Sequence, residues 1–127
     1  MSYKPQGYSS VSPYLVTHDA TAVIHFLKEA FNGQELRRYE RDDGSIMHAE
    51  VKLDDSVIMI AQSTEGWPGY KAHIHLYVPD SIAVYHKALE AGGQSVQEPV
   101  KKDDSDRRGG VSDPAGNTWW ISTQVTE

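Results

Sequence analysis

Two stretches of the chain carry apolar residues with the period of an α-helix. The spacing i, i+3, i+4, i+7 places such residues on one face, which turns toward a protein core. In the first stretch these residues are Val23, Phe26, Leu27 and Ala30. In the second stretch they are Val84, Tyr85, Ala88 and Leu89. The pattern predicts two amphipathic helices, one in each half of the chain.

Start and stop signals frame both helices. Asp19 or Thr21 can cap the N-terminus of the first helix, and Gly33 is predicted to end it. In the second helix Asp80 or Ser81 takes the capping role, and two consecutive glycines end the helix. The two helices are therefore built from the same signals.

Short runs rich in β-forming residues predict the strands. One run precedes each helix, at 11–16 and at 73–78. Three more follow each helix, predicted at 34–41, 46–53 and 56–62 in the first half and at 95–100, 107–112 and 117–123 in the second. Each half is thus predicted to be a βαβββ unit, and the stretch 64–72 to be the linker between them.

The two halves also match each other in sequence. A shift of 61 residues aligns Ser12–Ser63 with His73–Gln124 without a gap, and ten aligned pairs are identical. Because the order of elements repeats as well, we predict an α+β fold in which one domain, 1–127, contains two modules, about 11–63 and 73–124.

Strand parity divides each strand into a face toward its helix and a face away from it. The face predicted to lie under the helices carries Met47, Ala49, Val51, Leu53, Ile74, Leu76 and Val78. The opposite face carries Ile46, His48, Glu50, Lys52, His73, His75 and Tyr77. We expect the polar set to line an open sheet face.

Composition narrows the classes of function. Twelve Lys and Arg against eighteen Asp and Glu give a net charge of −6, which argues against nucleic acid as a partner because no basic excess exists to release counterions. The absence of cysteine excludes disulfides, thiolate metal sites and cysteine nucleophiles. The longest apolar run, 57–61, is far shorter than the ~20 residues that span a bilayer. With no signal-peptide pattern either, we expect a cytoplasmic protein without a membrane partner.

Three segments carry motifs that are distinctive in combination. They are Pro-Tyr-Leu-Val at 13–16, Met-His-Ala-Glu at 47–50, and the stretch 109–120, where an Asp-Pro-Ala-Gly-Asn turn precedes two tryptophans. Together they resemble the vicinal oxygen chelate superfamily of glyoxalase I, bleomycin resistance proteins and extradiol dioxygenases, and are most similar to its PhnB-like branch. The resemblance covers roughly 10–124. It implies two modules whose mixed sheets curl into a cup that holds a ligand, usually in a homodimer.

The resemblance also implies where a family metal would bind. Metal-dependent members take their ligands from four positions that correspond to Ser12, Met59, His73 and Trp120. Of these only His73 is a competent ligand, because a hard or borderline divalent ion needs three or four nitrogen or oxygen donors. Methionine is a soft ligand, and the indole ring supplies only an N–H donor. We therefore expect no metal and no other cofactor.

A group of polar residues leaves alternatives open. Two imidazoles and a carboxylate among His48, Glu50, His73 and His75 could form a relocated site for a divalent metal. His48 could also act with Glu50 or His73 as an acid–base pair, since histidine titrates near neutral pH. The simpler interpretation is that these side chains line the open face and bond to one another and to water.

Aromatic and basic residues complete the candidate site. Trp120 is predicted to form the floor of the cup as a stacking platform, whereas Trp119 packs under a helix. Arg107 or Arg108 could bind a carboxylate or phosphate, or could pair with neighbouring aspartates. The linker aromatics, Trp67 among them, could cover the cup or form a dimer contact.

The sequence thus predicts a glyoxalase/bleomycin-resistance-like protein that binds a small molecule, without the family's metal site and as a homodimer. One alternative is a lyase, isomerase or dioxygenase of the same superfamily that uses a metal or its histidines. Another is a regulatory module without chemistry. The residues expected to contact the ligand are Tyr14, His48, Glu50, Met59, His73, His75, Arg107 and Trp120.

Overall fold

The computed structural model describes the whole chain, Met1–Glu127, and contains two helices and eight strands. The elements are β1 (Tyr14–Thr17), α1 (Ala20–Phe31), β2 (Gln34–Glu40), β3 (Ile46–Leu53), β4 (Ser56–Gln62), β5 (His73–Tyr77), α2 (Ser81–Glu90), β6 (Gln94–Lys101), β7 (Asp106–Ser112) and β8 (Thr118–Gln124). The βαβββ order occurs twice, so the predicted α+β fold of two such modules is confirmed.

The first strand is shorter than expected. It begins at Tyr14, whereas the sequence predicted a start at Val11, which is 86% exposed. The segment before the strand turns across the sheet: the Ser9 hydroxyl accepts a hydrogen bond from the backbone N–H of Val57 at 3.4 Å. The β-forming residues at 11–16 therefore predict a strand that begins too early, because local propensity does not show where the chain changes direction.

The strands form two separate four-stranded mixed sheets. The first, here called the N-sheet, has the order β1-β4-β3-β2, and the second, the C-sheet, has the order β5-β8-β7-β6. In each, the strand that precedes the helix pairs in parallel with the last strand of its module, and the other pairings are antiparallel. No strand of one sheet pairs with a strand of the other.

Both helices lie between the two sheets. α1 packs against the N-sheet, α2 packs against the C-sheet, and the helices contact each other. Phe31 of α1 also reaches the C-sheet, where its ring centroid lies 5.4 Å from that of Trp119. A single apolar core joins both modules, and the outer faces of the sheets, which are turned away from the helices, point in opposite directions. The sheets are not closed into one cup within a single chain. Neither helix is long and apolar enough to cross a membrane.

The helix ends match the predicted caps with one difference. The carboxylates of Asp19 and Asp80 each accept a hydrogen bond of 3.1 Å from a backbone N–H in the first helical turn. At the end of α1 the left-handed residue is Asn32, with φ 56°. Gly33 serves a different purpose, since a Cβ there would lie 2.7 Å from Val51 Cγ1. Close packing on the N-sheet, and not backbone chirality, requires this glycine.

The parity predicted for β3 is wrong at its first two residues. Ile46 is 2% exposed in the core, whereas Met47 is 47% exposed. The cause is a register shift between β2 and β3, where Tyr39 pairs with His48 but Glu40 pairs with Ile46. The rest of the strand follows the predicted alternation, with His48 on the outer face.

The Asp-Pro-Ala-Gly-Asn turn is a hydrogen-bonded hub. The buried carboxylate of Asp113 accepts hydrogen bonds from two backbone N–H groups of the turn, from the Asn117 amide and from the Trp119 indole at 2.9 Å. The amide oxygen of Asn117 in turn accepts a hydrogen bond from the backbone N–H of Ala72. The motif therefore joins the end of the linker to β8 and fixes Trp119 toward the helices.

Candidate functional site

The outer faces of the two sheets hold the candidate residues, which the structure divides into two groups. On the N-sheet are Tyr14, His48, Glu50 and Met59. On the C-sheet are His73, His75 and Trp120. The helix layer separates the groups, and no three His, Asp or Glu side chains lie close enough together to hold a metal ion. The relocated metal site considered from the sequence is not formed within one chain.

A chain of hydrogen bonds runs across the N-sheet. His48 Nε2 lies 2.9 Å from Glu50 Oε2, and the Tyr14 hydroxyl lies 3.1 Å from His48 Nδ1. A carboxylate only accepts hydrogen bonds, so His48 Nε2 carries the proton that is shared with Glu50. In the neutral imidazole, Nδ1 then accepts the hydrogen bond that Tyr14 donates. This tautomer follows from the network of partners.

Glu50 is buried and ionised. Its side chain is 4% exposed, and its second carboxylate oxygen accepts a hydrogen bond from the hydroxyl of Tyr8. Burial raises the pKa of Glu50, but the hydrogen bonds from Tyr8 and His48, with the charge of Arg37 at 3.9 Å, outweigh it and lower the pKa below its usual value. The guanidinium of Arg37 also lies 5.2 Å from the Tyr8 ring centroid. The N-terminal segment thus seals one side of this carboxylate.

Tyr14 is enclosed by the linker. The ring centroid of Trp67 lies 5.8 Å from that of Tyr14, and the Tyr70 hydroxyl donates a hydrogen bond to the Tyr14 carbonyl oxygen. Burial, followed by the negative charge of Glu50, raises the pKa of the Tyr14 phenol. The linker aromatics therefore lie against the candidate site on the N-sheet, one of the two positions considered from the sequence.

Trp120 lies flat on the C-sheet. A Cβ at Gly110 on the neighbouring strand would meet the indole Cζ3 at 2.7 Å, so only glycine leaves room for the ring. The indole is nearly parallel to His73, with a centroid distance of 6.2 Å, and its Nε1 donates to His73 Nδ1 at 3.1 Å. Trp119, in contrast, is completely buried on the helix side. The orientations predicted for these two tryptophans are confirmed.

A cluster of charged groups lies beside Trp120. Arg108 donates hydrogen bonds to His75 Nε2 at 3.2 Å, to Asp104 at 3.0 Å and to Asp106 at 2.9 Å. A guanidinium is always protonated, so His75 Nε2 must be the unprotonated nitrogen of a neutral ring. Ser122, whose Oγ lies 3.0 Å from the same nitrogen, donates to it as well. Burial, and after it the charge of Arg108, lowers the pKa of His75.

Arg108, and not Arg107, is the arginine on the outer face of the C-sheet. Arg108 pairs with Ser122 and lies two residues from Gly110, the partner of Trp120. Arg107 pairs with Thr123 and therefore projects to the other side of the strand. The sequence showed two adjacent arginines, but choosing between them requires the register of β7 against β8.

A cavity of about 380 Å³ opens next to the indole of Trp120. Its volume is in the range of pockets that bind small molecules. It is lined by His75, Gln97, Val100, Lys102, Asp104, Asp106, Arg108 and Trp120. Two cationic and two anionic side chains in this set balance in charge. Sequence reasoning missed the contribution of β6, which carries Gln97 and Val100, because nothing in that strand marks it as polar lining.

A second cavity of about 620 Å³ lies between the modules, near the C-terminal end of α1. Its walls are mainly apolar, and a hydrogen bond of 2.7 Å from Lys87 to Asn32 crosses its rim. It contains none of the residues expected to contact the ligand, although Tyr77 at the edge of the C-sheet lines it.

At the four positions that the resemblance assigns to a family metal, the residues present do not fit a divalent ion. Ser12 precedes β1, and its hydroxyl lies 3.1 Å from that of Ser9. Met59 offers a soft thioether, and the Trp120 indole occupies a ring nitrogen of His73. The set therefore supplies at most one competent nitrogen donor on the C-sheet.

The topology and the turn motif can be compared with known proteins. A model of the glyoxalase/bleomycin resistance protein/dioxygenase superfamily matches residues 10–121. The chain belongs to this superfamily. The superfamily predicted from the motifs is thereby confirmed.

Individual relatives add the fold but no specific activity. An uncharacterized protein of Mycobacterium bovis is 32% identical in an alignment 129 residues long, and this alignment covers 93% of this chain and 85% of the relative. Among solved structures, TioX from Micromonospora sp. ML1 matches with a TM-score of 0.78 at 20% identity, over 91% of this chain and 98% of TioX. The fosfomycin resistance protein FosX from Mesorhizobium loti matches with a TM-score of 0.65 at 14% identity, over 91% of each chain.

Proposed function

We propose that the protein binds a small planar aromatic molecule on the outer face of the C-sheet, without the divalent metal of metal-dependent superfamily members. The observation that carries the proposal is the indole of Trp120, which lies flat over Gly110 beside a cavity of about 380 Å³. An indole held parallel to the sheet offers one face to a stacked aromatic ring. The binding mode is therefore stacking on Trp120, with hydrogen bonds from the cavity walls.

The charge of the cavity favours a ligand without net charge. Lys102 and Arg108 are balanced by Asp104 and Asp106, and His75 is neutral because its Nε2 accepts from Arg108. A net anion would meet the carboxylates of Asp104 and Asp106, and a net cation would meet the positive groups of Lys102 and Arg108. Polar groups such as an amide can still bond to Gln97 and to the remaining N–H groups of Arg108.

The same proposal includes a homodimer. In one chain the outer faces of the two sheets point apart, so the cup of the superfamily requires a second copy whose N-sheet faces the C-sheet of the first. β1 and β5 are edge strands, and exposed edges are usually paired or covered in native proteins. Tyr77, which is 60% exposed on β5, lies at such an edge.

The resemblance of the Met-His-Ala-Glu and Asp-Pro-Ala-Gly-Asn motifs supports placement of the protein in the PhnB-like branch of the superfamily.

Tryptophan fluorescence tests the binding site. We expect 4-nitrobenzamide, an uncharged nitroaromatic, to quench the emission saturably, and its charged analogue 4-nitrobenzoate to bind more weakly. Trp120→Phe should remove most of the saturable quenching. Trp119→Phe is the matched control, because Trp119 is completely buried on the helix side of the same strand and should leave the saturable quenching in place.

Two results would contradict the proposal. One is quenching by 4-nitrobenzamide that stays linear, as expected for collisions in solution. The other is saturable quenching that Trp120→Phe leaves intact, which would place the ligand elsewhere.

A further inference from the structure

The hydrogen-bonded chain on the N-sheet has the arrangement of a base-activated nucleophile. Such an arrangement needs a hydroxyl within hydrogen-bond reach of a base, and a third group that holds the base in place. Tyr14 Oη lies 3.1 Å from His48 Nδ1, and Glu50 Oε2 lies 2.9 Å from His48 Nε2. Both ring nitrogens of His48 are thereby engaged, so the imidazole has one tautomer and one orientation.

We propose that Tyr14, His48 and Glu50 form a proton-transfer unit that activates the Tyr14 phenol toward a small electrophile. Tyr14 is the catalytic residue, and His48 and Glu50 are the residues that position and stabilise its proton. In the reaction, Tyr14 Oη forms a bond to the electrophilic atom, and the leaving group departs with its electron pair. The phenol proton moves to His48 Nδ1, and the resulting imidazolium is stabilised by the Glu50 carboxylate.

The surroundings of the unit fit this role. Burial and the charge of Glu50 raise the pKa of Tyr14, so the phenol does not ionise unaided and its proton leaves only when His48 accepts it. Glu50 stays ionised because Tyr8 and His48 donate hydrogen bonds to it. The carboxylate is therefore available to stabilise a positive imidazole, which is what proton uptake by His48 requires.

The C-sheet provides a comparison that lacks these features. There the Ser122 hydroxyl lies 3.0 Å from His75 Nε2, but that nitrogen also accepts a hydrogen bond from Arg108. No carboxylate bonds to the ring, and the pKa of His75 is lowered. Transfer of a proton from Ser122 would make His75 an imidazolium next to the guanidinium of Arg108, and the two positive charges would repel each other. Of the two hydroxyl–imidazole pairs, only the one on the N-sheet can store the proton.

The inference deepens the proposed function, because it assigns chemistry to the sheet that would face the ligand in the dimer. It does not depend on Trp120, however. Reaction at Tyr14 can be measured separately from quenching at Trp120, so a failure of one is distinguishable from a failure of the other.

Chemical labelling of the unmodified protein provides the test. Phenylmethanesulfonyl fluoride sulfonylates activated hydroxyls: the phenol oxygen bonds to sulfur, fluoride leaves, and the proton goes to the base. Peptide mass spectrometry reports the rate at each of the seven tyrosines. Exposure alone would favour four other tyrosines, namely Tyr3, Tyr77, Tyr70 and Tyr39, which are 93%, 60%, 52% and 49% exposed. We expect Tyr14 to react faster than these, by roughly 10-fold or more if the base contributes as general bases usually do.

Variants separate activation from mere accessibility. His48→Ala should lower the rate at Tyr14 by at least about 10-fold, and Glu50→Gln should lower it by a smaller factor. Tyr39→Phe is the matched control: its ring centroid lies 6.3 Å from the same imidazole, but its hydroxyl makes no hydrogen bond to it. This change should leave the rate at Tyr14 unchanged.

Two outcomes would overturn the inference. The first is labelling that follows exposure, with Tyr3 and Tyr39 ahead of Tyr14. The second is an unchanged rate at Tyr14 in His48→Ala. Nitrogen-15 NMR of the unmodified protein adds an independent criterion, because the inference requires the proton of His48 on Nε2 and fails if the resting ring carries it on Nδ1.

Discussion

Gly110→Ala tests the placement of the stacking platform. The added Cβ would lie 2.7 Å from Cζ3 and 2.9 Å from Cε3 of Trp120, below the 3.4 Å at which ordinary van der Waals contact begins. The indole must therefore move by several tenths of an ångström or rotate away. Overpacking costs about 1–3 kcal/mol, and replacing a strand glycine by alanine returns about 0.5–1 kcal/mol. Because Trp120 is only half-buried and can swing outward, we expect a net loss of about 1 kcal/mol.

The larger effect should be on ligand binding. Once tilted, the indole loses its parallel arrangement with His73 and the hydrogen bond from Nε1, and the stacking surface is lost. Urea unfolding measures the loss of stability, and quenching by 4-nitrobenzamide measures the loss of ligand binding. The NMR resonance of the indole N–H reports the displacement of the ring itself. Gly66→Ala is the control, because nothing lies within 4 Å of a Cβ at Gly66. If Gly110→Ala left both the resonance and the quenching unchanged, the indole would not lie where the structure puts it.

Four further outcomes are expected. Trp119→Phe should destabilise the fold by about 2–4 kcal/mol in urea unfolding, because it opens a core cavity and removes a donor to the buried Asp113, while quenching by 4-nitrobenzamide persists. The lowered pKa of His75 means that the folded state prefers the neutral ring. The free energy of unfolding is therefore highest above the ordinary pKa near 6.5 and decreases as the pH falls below that value. His75→Gln should lose less stability than the unmodified protein between pH 7.5 and 5.5 in urea unfolding, and an identical loss would contradict this expectation. Elemental analysis after dialysis against micromolar zinc, nickel, manganese or iron should find no stoichiometric metal, whereas one tightly held ion per chain would favour a site shared between two copies. Light scattering should give about twice the chain mass of 14.2 kDa, and a monomer mass at all concentrations would count against the dimer.

Much of the fold could be read from local patterns. The helical spacing of Val23, Phe26 and Leu27 reappears as the buried face of α1, and both aspartate caps are in place. These features depend on neighbours within one or two turns, so the sequence contains the whole interaction. The same reasoning failed at β3, where a register shift buries Ile46 and exposes Met47. A bulge arises from the pairing of two strands and leaves no mark on either strand alone.

The candidate site shows the same limit. Alternation along single strands correctly placed His48 with Glu50, and His73 with His75, on faces away from the helices. It could not show that Tyr8 from the N-terminal segment would reach Glu50, since no periodicity governs an irregular segment. Nor could it choose Arg108 over Arg107, because that choice depends on the register of β7.

By itself, the sequence determined the βαβββ repeat and most of the apolar faces, because each depends on residue identity and on spacing along one element. Tertiary structure alone decided which groups meet. By placing both helices between the sheets, it sends the two polar faces in opposite directions and separates His48 from His73. That layer order follows from the burial of both helices in one core, in which Phe31 of α1 packs on Trp119 of the other module. Contacts between residues this far apart in the chain are set by how whole layers pack, which no local pattern encodes.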